Sequence, residues 1–135
     1  MSLSITDRLR TLKAKCTFVE ETAASLGLSP RELAGIIALG AGKKLSCNEL
    51  AEQMGLSPSR GSRVINSLIA GKYLRREENE RDRRCIFISL TPRGEEYLKR
   101  IEDAERVCEE LLHSRLNEQE LKKVEEGLEL LLAAL

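Results

Sequence analysis

The residue types best suited to chemistry lie between Ser57 and Asn66, where hydroxyl, guanidinium and amide groups recur. Arginine can donate two hydrogen bonds to guanine O6 and N7, asparagine can pair with adenine, and serine can reach phosphate oxygens. The same residues on an isolated helix would more often form only a solvated polar face, so their interpretation depends on the neighbouring elements. The outward positions that we assign to DNA contact are Ser57, Ser59, Arg60, Ser62, Arg63 and Asn66.

A second basic group follows at residues 81–84, directly before the apolar segment 85–90. Guanidinium groups on a narrow loop suit the minor groove of A·T-rich DNA, where the negative potential is enhanced. We expect Asp82 to hold one arginine side chain in place. Glutamates at 77, 78 and 80 would repel phosphate, so only part of this loop is expected to touch DNA. The alternative is an ordinary solvated turn; the DNA-contact candidates are Arg81, Asp82, Arg83 and Arg84.

Two helices and a hairpin must position these groups. Ser46 and Glu49 form a capping-box pattern that opens a short helix through residue 54. Gly55 provides a tight turn, and Ser57 caps a helix that runs to about residue 70. Strands are predicted at 73–76 and 85–90, joined by the charged segment 77–84. The order helix, turn, helix, basic hairpin predicts a winged helix-turn-helix. Ala51 is the small residue that the motif needs, and Leu50, Leu56 and Val64 are expected to lock its helices together. Ile65 and Leu68 are expected to face inward.

Amphipathic helices flank this region on both sides. A first helix is predicted over residues 5–26, with an apolar seam at spacings of three and four. Ser29 and Glu32 open a second helix, Thr91 caps a long one to about residue 116, and Asn117 opens the last. A single small chain cannot bury both terminal seams, so we expect them to pack together and against a second copy. The seams are Ile5, Leu9, Leu12, Cys16, Val19, Ala23 and Leu26, and Leu121, Val124, Leu128, Leu131 and Leu135.

The predicted architecture is therefore one domain over residues 1–135, mainly α with a small β-hairpin wing. Residues 28–97 form the winged helix-turn-helix that binds DNA, and dimerisation helices occupy 1–27 and 98–135. A length of 135 residues accommodates one such domain with a sizeable core.

Charge is distributed unevenly in a chain whose net charge is zero. Residues 60–84 hold eight basic and four acidic side chains, whereas residues 99–135 hold six basic and ten acidic ones. This asymmetry indicates that the basic segment faces phosphates and that the acidic C-terminal segment has another function. The sequence has neither an apolar run long enough to span a membrane nor an apolar signal segment near its start, so we expect a cytoplasmic protein without a membrane partner.

The remaining reactive residues favour neither catalysis nor metal binding. Four cysteines without C-x-x-C spacing and a single histidine predict no metal and no cofactor. With no clustered nucleophile and no glycine-rich phosphate loop, the chain is not expected to be an enzyme. Cys16 falls on the first apolar seam, so we expect it to be a buried filler rather than a redox sensor.

The Asp82-x-Arg84-x5-Leu90-Thr91 signature, the order of elements and the flanking helices resemble the MarR family of regulators. The resemblance implies a homodimeric transcription factor whose terminal helices form the dimer interface. It further implies a repressor of nearby genes on a pseudo-palindromic operator. A small-molecule effector, where one exists, would bind between the dimerisation and DNA-binding regions. Two alternatives remain: a winged-helix module that binds protein, and a redox-responsive regulator that senses through Cys16.

The sequence departs from the family pattern at two glycines. Gly61 stands inside the proposed recognition helix, where relatives usually carry a side chain, which indicates either close packing or an unusually adaptable helix. Gly71 and Lys72 reverse the usual order, in which the glycine comes one place later. Only four aromatic residues are present, which disfavours an aromatic-lined effector pocket.

Overall fold

A computed structural model describes residues 2–82, 84 and 86–135. Within these residues it is mainly helical with one antiparallel hairpin, as predicted. It comprises two compact units, one ending at Ile101 and the other spanning Glu102–Leu135. The elements are α1 (Ile5–Lys15), α2 (Phe18–Leu26), α3 (Pro30–Leu39), α4 (Cys47–Gln53), α5 (Pro58–Ala70), β1 (Leu74–Glu78), β2 (Ile86–Leu90), α6 (Pro92–Arg115) and α7 (Glu118–Ala134).

Most helices begin where the capping patterns predict. The Ser29 hydroxyl accepts the Glu32 N–H at 3.1 Å, and the Glu32 carboxylate accepts the Ser29 N–H at 3.0 Å. Equivalent reciprocal caps open α4 at Ser46 and α7 at Asn117. Each cap satisfies backbone donors that the helix leaves unpaired and contributes about 1 kcal/mol.

The single first helix predicted over residues 5–26 is wrong, because the chain forms two helices there. Cys16 ends α1 with a non-helical backbone (φ −91°, ψ 81°). Thr17 then starts α2: its carbonyl accepts the Glu21 N–H at 2.9 Å, and its hydroxyl donates to the Glu21 carboxylate at 2.8 Å. Threonine before acidic residues is a helix-start pattern that the heptad spacing obscured. Cys16 is consequently exposed at the break within one chain, so its burial stays a prediction for the dimer.

The helix-turn-helix is held by an unusually close approach of α5 to α4. A Cβ added to Gly61 would lie less than 3.0 Å from the Ala51 Cβ and 3.0 Å from the Ala51 Cα. Gly55 supplies the turn with a left-handed φ of 69°. Gly61 is therefore required for close packing. Of the two interpretations of this glycine, close packing or an adaptable helix, the structure supports the first. The largest fully buried side chains of the described residues are Ile36, Leu39, Leu50, Ile65, Leu68, Leu74, Ile88 and Ile101.

The hairpin is fixed from both sides. β1 and β2 pair with Leu74 opposite Leu90, and Leu45 forms a two-bond bridge to Ile88 beyond β2 (3.1 and 2.7 Å). Ile88 and Leu90 of β2 are buried, as expected for one face of a half-buried strand. Ile86 on the same face is exposed, and Ser89 on the opposite face is buried. Ser89 tolerates burial because its hydroxyl lies within hydrogen-bonding distance of two side chains of β1.

The turn between α5 and β1 is hydrogen-bonded to the start of α6. The Thr91 hydroxyl accepts the Gly94 N–H at 3.0 Å and donates to the Lys72 carbonyl at 2.6 Å. Lys72 adopts a left-handed φ of 64°, whereas a Cβ on Gly71 would meet the Tyr73 ring at 2.7 Å. Glycine at position 71 therefore allows the Tyr73 ring to pack closely against the backbone. The residue with the strained left-handed conformation is Lys72.

Candidate nucleic-acid interface

The helix α5 separates a core face from an exposed polar face. Gly61, Ile65 and Leu68 are buried on one side. The residues proposed to contact DNA lie on the other side or at its edge. Of these, Ser57, Ser59, Arg60, Arg63 and Asn66 are exposed, and Ser62 is half-buried.

The start of α5 is anchored by its own side chains. The Ser57 hydroxyl accepts the Arg60 N–H at 3.3 Å and lies 3.4 Å from the Ser59 hydroxyl. Further along the helix, the Ser67 hydroxyl donates to the Glu32 carboxylate at 2.9 Å, which ties α5 to the start of α3. These contacts fix the position of the helix from which the exposed arginines project.

Arg60 and Arg63 differ from three other helical arginines in having no carboxylate partner within the described residues. Within the described residues, neither forms an ion pair with a carboxylate at 4.0 Å or less, whereas Arg10, Arg100 and Arg106 are paired along their own helices. Two unneutralised guanidinium groups three residues apart give this face of α5 a local positive charge suited to phosphates or guanine edges.

Asn66 has a partner that the sequence analysis missed. The Arg76 Nη2 donates to the Asn66 Oδ1 at 2.5 Å, joining the exposed face of α5 to β1. The two residues are ten positions apart and on different elements, so no local pattern indicated their contact. Arg76 therefore extends the candidate interface from the helix onto the wing.

The tip of the wing is shaped by side chains that accept backbone hydrogen bonds. The Asn79 Oδ1 accepts the Arg81 N–H at 3.0 Å, and the Asp82 Oδ1 accepts the Arg84 N–H at 3.0 Å. In this contact Asp82 shapes the backbone at Arg84. Arg81 and Arg84 are exposed. The proposed contact Arg83 lies outside the described residues, as does Cys85.

The base of the wing contains an ion-pair network. Glu77 lies 2.7 Å from the Lys44 Nζ and 2.9 Å from the Arg75 Nε, and it accepts a hydrogen bond from Ser89 at 3.4 Å. The hydrogen bond from Lys44 is the main cause that lowers the pKa of Glu77 below its ordinary value. Glu77 is thus neutralised within the protein, and it presents less repulsion to phosphate than the sequence suggested.

Other functional groups are sparse in the described part of the chain. It contains no cluster of three or more His, Cys, Asp or Glu side chains that could hold a metal ion. None of its helices is both long and apolar enough to cross a lipid bilayer. The described cysteines at 16, 47 and 108 are free thiols, the first exposed and the other two half-buried.

Comparison with known proteins supports the winged-helix assignment. A sequence model of the MarR family matches residues 26–84. The transcriptional repressor MprA of Escherichia coli K12 is 30% identical over 79 residues, which cover 58% of this chain and 45% of MprA. The match thus spans less than half the length of that relative.

Two solved structures share the fold over nearly the whole chain. Wild-type MarR from E. coli, in its apo form, has a TM-score of 0.75 at 15% identity, with 98% of each chain covered. S. aureus MepR, in a mutant form bound to an oligodeoxyribonucleotide, has a TM-score of 0.68 at 18% identity, with 98% of this chain and 99% of MepR covered. The family consists of regulators rather than enzymes, in agreement with the sequence analysis. Residues 26–84 therefore match the MarR family of transcriptional regulators, and the chain shares the winged-helix fold of solved MarR.

Proposed function

We propose that the chain is a homodimeric repressor that binds a pseudo-palindromic operator near its own gene. In this proposal α5 enters the major groove and the arginine-tipped wing follows the adjacent minor groove. The observation that carries the proposal is the pair Arg60 and Arg63, exposed and without carboxylate partners in the described chain, on a helix whose opposite face is locked into the core.

A fixed scaffold makes these arginines effective. Side chains that project from a well-packed helix lose less conformational freedom on binding than side chains on a mobile loop. The close contact of Gly61 with Ala51 and the link of Ser67 to Glu32 hold α5 in one position. The ion pairs of Glu77 support the wing in the same way.

The proposed dimer rests on apolar surface at the two ends of the chain. No residue of α1 or α7 is buried, and the structure describes both helices in full. In α7 the seam residues Val124 and Leu128 each remain 46% exposed. An amphipathic helix with an exposed seam is stable when a partner covers it, and a second copy offers a self-complementary seam.

Affinity measurements by fluorescence anisotropy test the DNA-binding proposal. The duplex from upstream of the gene is compared with a random duplex at several salt concentrations. Arg63→Ala should reduce discrimination for the operator by about 1–3 kcal/mol, because it removes a base contact. Arg84→Ala should weaken binding to both duplexes and reduce the salt dependence by about one counterion per subunit.

The control for these variants is Arg106→Ala, which removes the same charge from an arginine already paired with Asp103. It should leave both affinities unchanged. If Arg63→Ala and Arg84→Ala fold, dimerise and bind the operator as the wild type does, the DNA-binding proposal is wrong. Absence of any duplex binding by the wild type would instead favour the protein-binding module.

The Cys16 thiol is exposed in one chain and so accessible to an oxidant, as the redox-responsive alternative requires. Operator affinity is measured before and after peroxide treatment, in the wild type and in Cys16→Ser. A loss of binding in the wild type alone would establish a sensor at Cys16. Equal behaviour of the two proteins would exclude that role.

A further inference from the structure

We infer that Arg76 sets the base preference of Asn66, and so acts as a specificity-determining residue without itself having to reach the base. The inference rests on the proposed function, because it concerns which base the exposed face of α5 prefers. The contact that motivates it is the hydrogen bond from the Arg76 Nη2 to the Asn66 Oδ1 at 2.5 Å.

The orientation of the Asn66 amide follows from this contact. A guanidinium group carries only donors, whereas an asparagine side chain offers one acceptor oxygen and one donor nitrogen. A flipped amide would place its NH2 group against the guanidinium, so the oxygen must face Arg76. The backbone of Arg76 is held in β1 opposite the buried Ile88, which fixes the strand from which the guanidinium reaches α5.

The fixed amide changes what Asn66 can recognise. Adenine recognition by asparagine uses both amide atoms: the oxygen accepts from N6 and the nitrogen donates to N7. In this chain the oxygen is already held by a charge-assisted hydrogen bond, which is stronger than a neutral one. Approach of the adenine N6 amino group would bring another donor beside the positive charge of Arg76.

The Asn66 NH2 remains as the group available to a base. A donor selects acceptors in the major groove, and guanine offers O6 and N7 while thymine offers O4. Adenine also offers N7, but its N6 amino donor lies beside that atom and would approach the positive charge of Arg76. The pair is therefore expected to prefer guanine or thymine over adenine at the position that residue 66 reads.

Arg76→Leu tests the inference because leucine keeps apolar bulk but removes every donor. Base preference is measured by selection from a duplex library randomised in each half-site, followed by affinities for single-base variants. The wild type should disfavour adenine at the position of residue 66 by about tenfold, and Arg76→Leu should remove or reverse this preference. Arg76→Lys, which keeps a charged donor, should retain it.

Arg75→Leu is the matched control, because Arg75 lies on the same strand but pairs with Glu77. It should leave the preference at the position of residue 66 unchanged. Asn66→Ala should abolish the preference, and adding Arg76→Leu to it should cause no further change in preference. An Arg76→Leu protein that loses affinity equally for all bases, with no change in preference, would overturn the inference.

A measurement without DNA separates this inference from the proposed function. The side-chain amide resonances of Asn66 in a 15N–1H spectrum should shift in Arg76→Leu and not in Arg75→Leu. Unchanged resonances would show that the contact is absent in solution and would overturn the inference alone. Failure of the folded wild type to bind any duplex would overturn both.

Discussion

The winged-helix region and the C-terminal unit Glu102–Leu135 differ in how far their apolar side chains are buried within one chain. In the first, Ile36, Leu50 and Ile65 are completely buried within one chain. In the second, Val124 and Leu128 of the α7 seam each remain 46% exposed. The winged helix thus obtains its hydrophobic stabilisation from its own sequence, whereas the seam of α7 requires another surface to supply it.

The two regions also differ in the sequence separation of the residues that form their ion pairs. The pairs of Arg106 join residues three or four apart on α6, and such exposed local pairs contribute little. At the wing, the pair of Lys44 with Glu77 connects segments far apart in the sequence. Substitutions in the two regions should therefore affect different properties of the protein.

The largest effect is expected from the double substitution of Val124→Lys and Leu128→Lys on the α7 seam. Two buried positive charges at a dimer interface are strongly unfavourable, so the protein should become monomeric at micromolar concentration. Operator affinity should fall by about 100-fold or more, because in the proposed dimer each monomer contacts one half-site. Sedimentation velocity and anisotropy measure the two outcomes.

The control for the seam is Glu126→Lys with Glu129→Lys on the polar face of the same helix, which should leave the dimer intact. A double seam variant that remains dimeric with normal affinity would show that α7 does not supply the interface. The comparison between the two regions would then need another explanation for the exposed seam residues.

Two glycine substitutions should change stability in opposite directions. Gly61→Ala should lower the free energy of unfolding by about 1–3 kcal/mol, because its methyl group collides with Ala51. Gly127→Ala should raise the free energy of unfolding by up to about 1 kcal/mol, because the space around Gly127 in the chain is open and alanine favours the helix. Urea denaturation measures both. A loss of stability at Gly127 would reveal a close contact with a second chain.

The Glu77 network should respond to acid. The pKa of Glu77 is lower in the folded protein, so its stabilisation is complete above the pKa of an unfolded glutamate and disappears as pH falls through the folded pKa. At neutral pH the wild type should be more stable than Glu77→Gln, and the difference should shrink in acid. Denaturation at several pH values checks this, with Glu78→Gln as the control. A difference independent of pH would contradict the ionic role.

The smallest effect is expected at Lys72. Glycine adopts its left-handed conformation without strain, so Lys72→Gly should raise the free energy of unfolding by less than about 1 kcal/mol despite the greater entropy of the unfolded chain. The same substitution at Lys99, inside α6, should lower the free energy of unfolding by about 1 kcal/mol. Thermal unfolding distinguishes the two, and a destabilised Lys72→Gly would show that the strain is not relieved.

Local sequence determined the starts of α3, α4, α5 and α7, because a capping side chain and the N–H groups it satisfies lie within three residues of each other. It also determined the left-handed turn at Gly55 and the polar face of α5, since both follow from residue type and helical spacing. The same spacing misled at Cys16, where a regular apolar seam concealed the helix start at Thr17.

Tertiary structure alone decided the contacts between distant segments. The need for glycine at residue 61 depends on Ala51, the burial of Ser89 depends on partners in β1, and the orientation of Asn66 depends on Arg76. Such contacts have no spacing rule, because they depend on how separate elements are brought together in space. Sequence therefore determined which groups are available for the proposed DNA binding, and the fold decided how several of them are held.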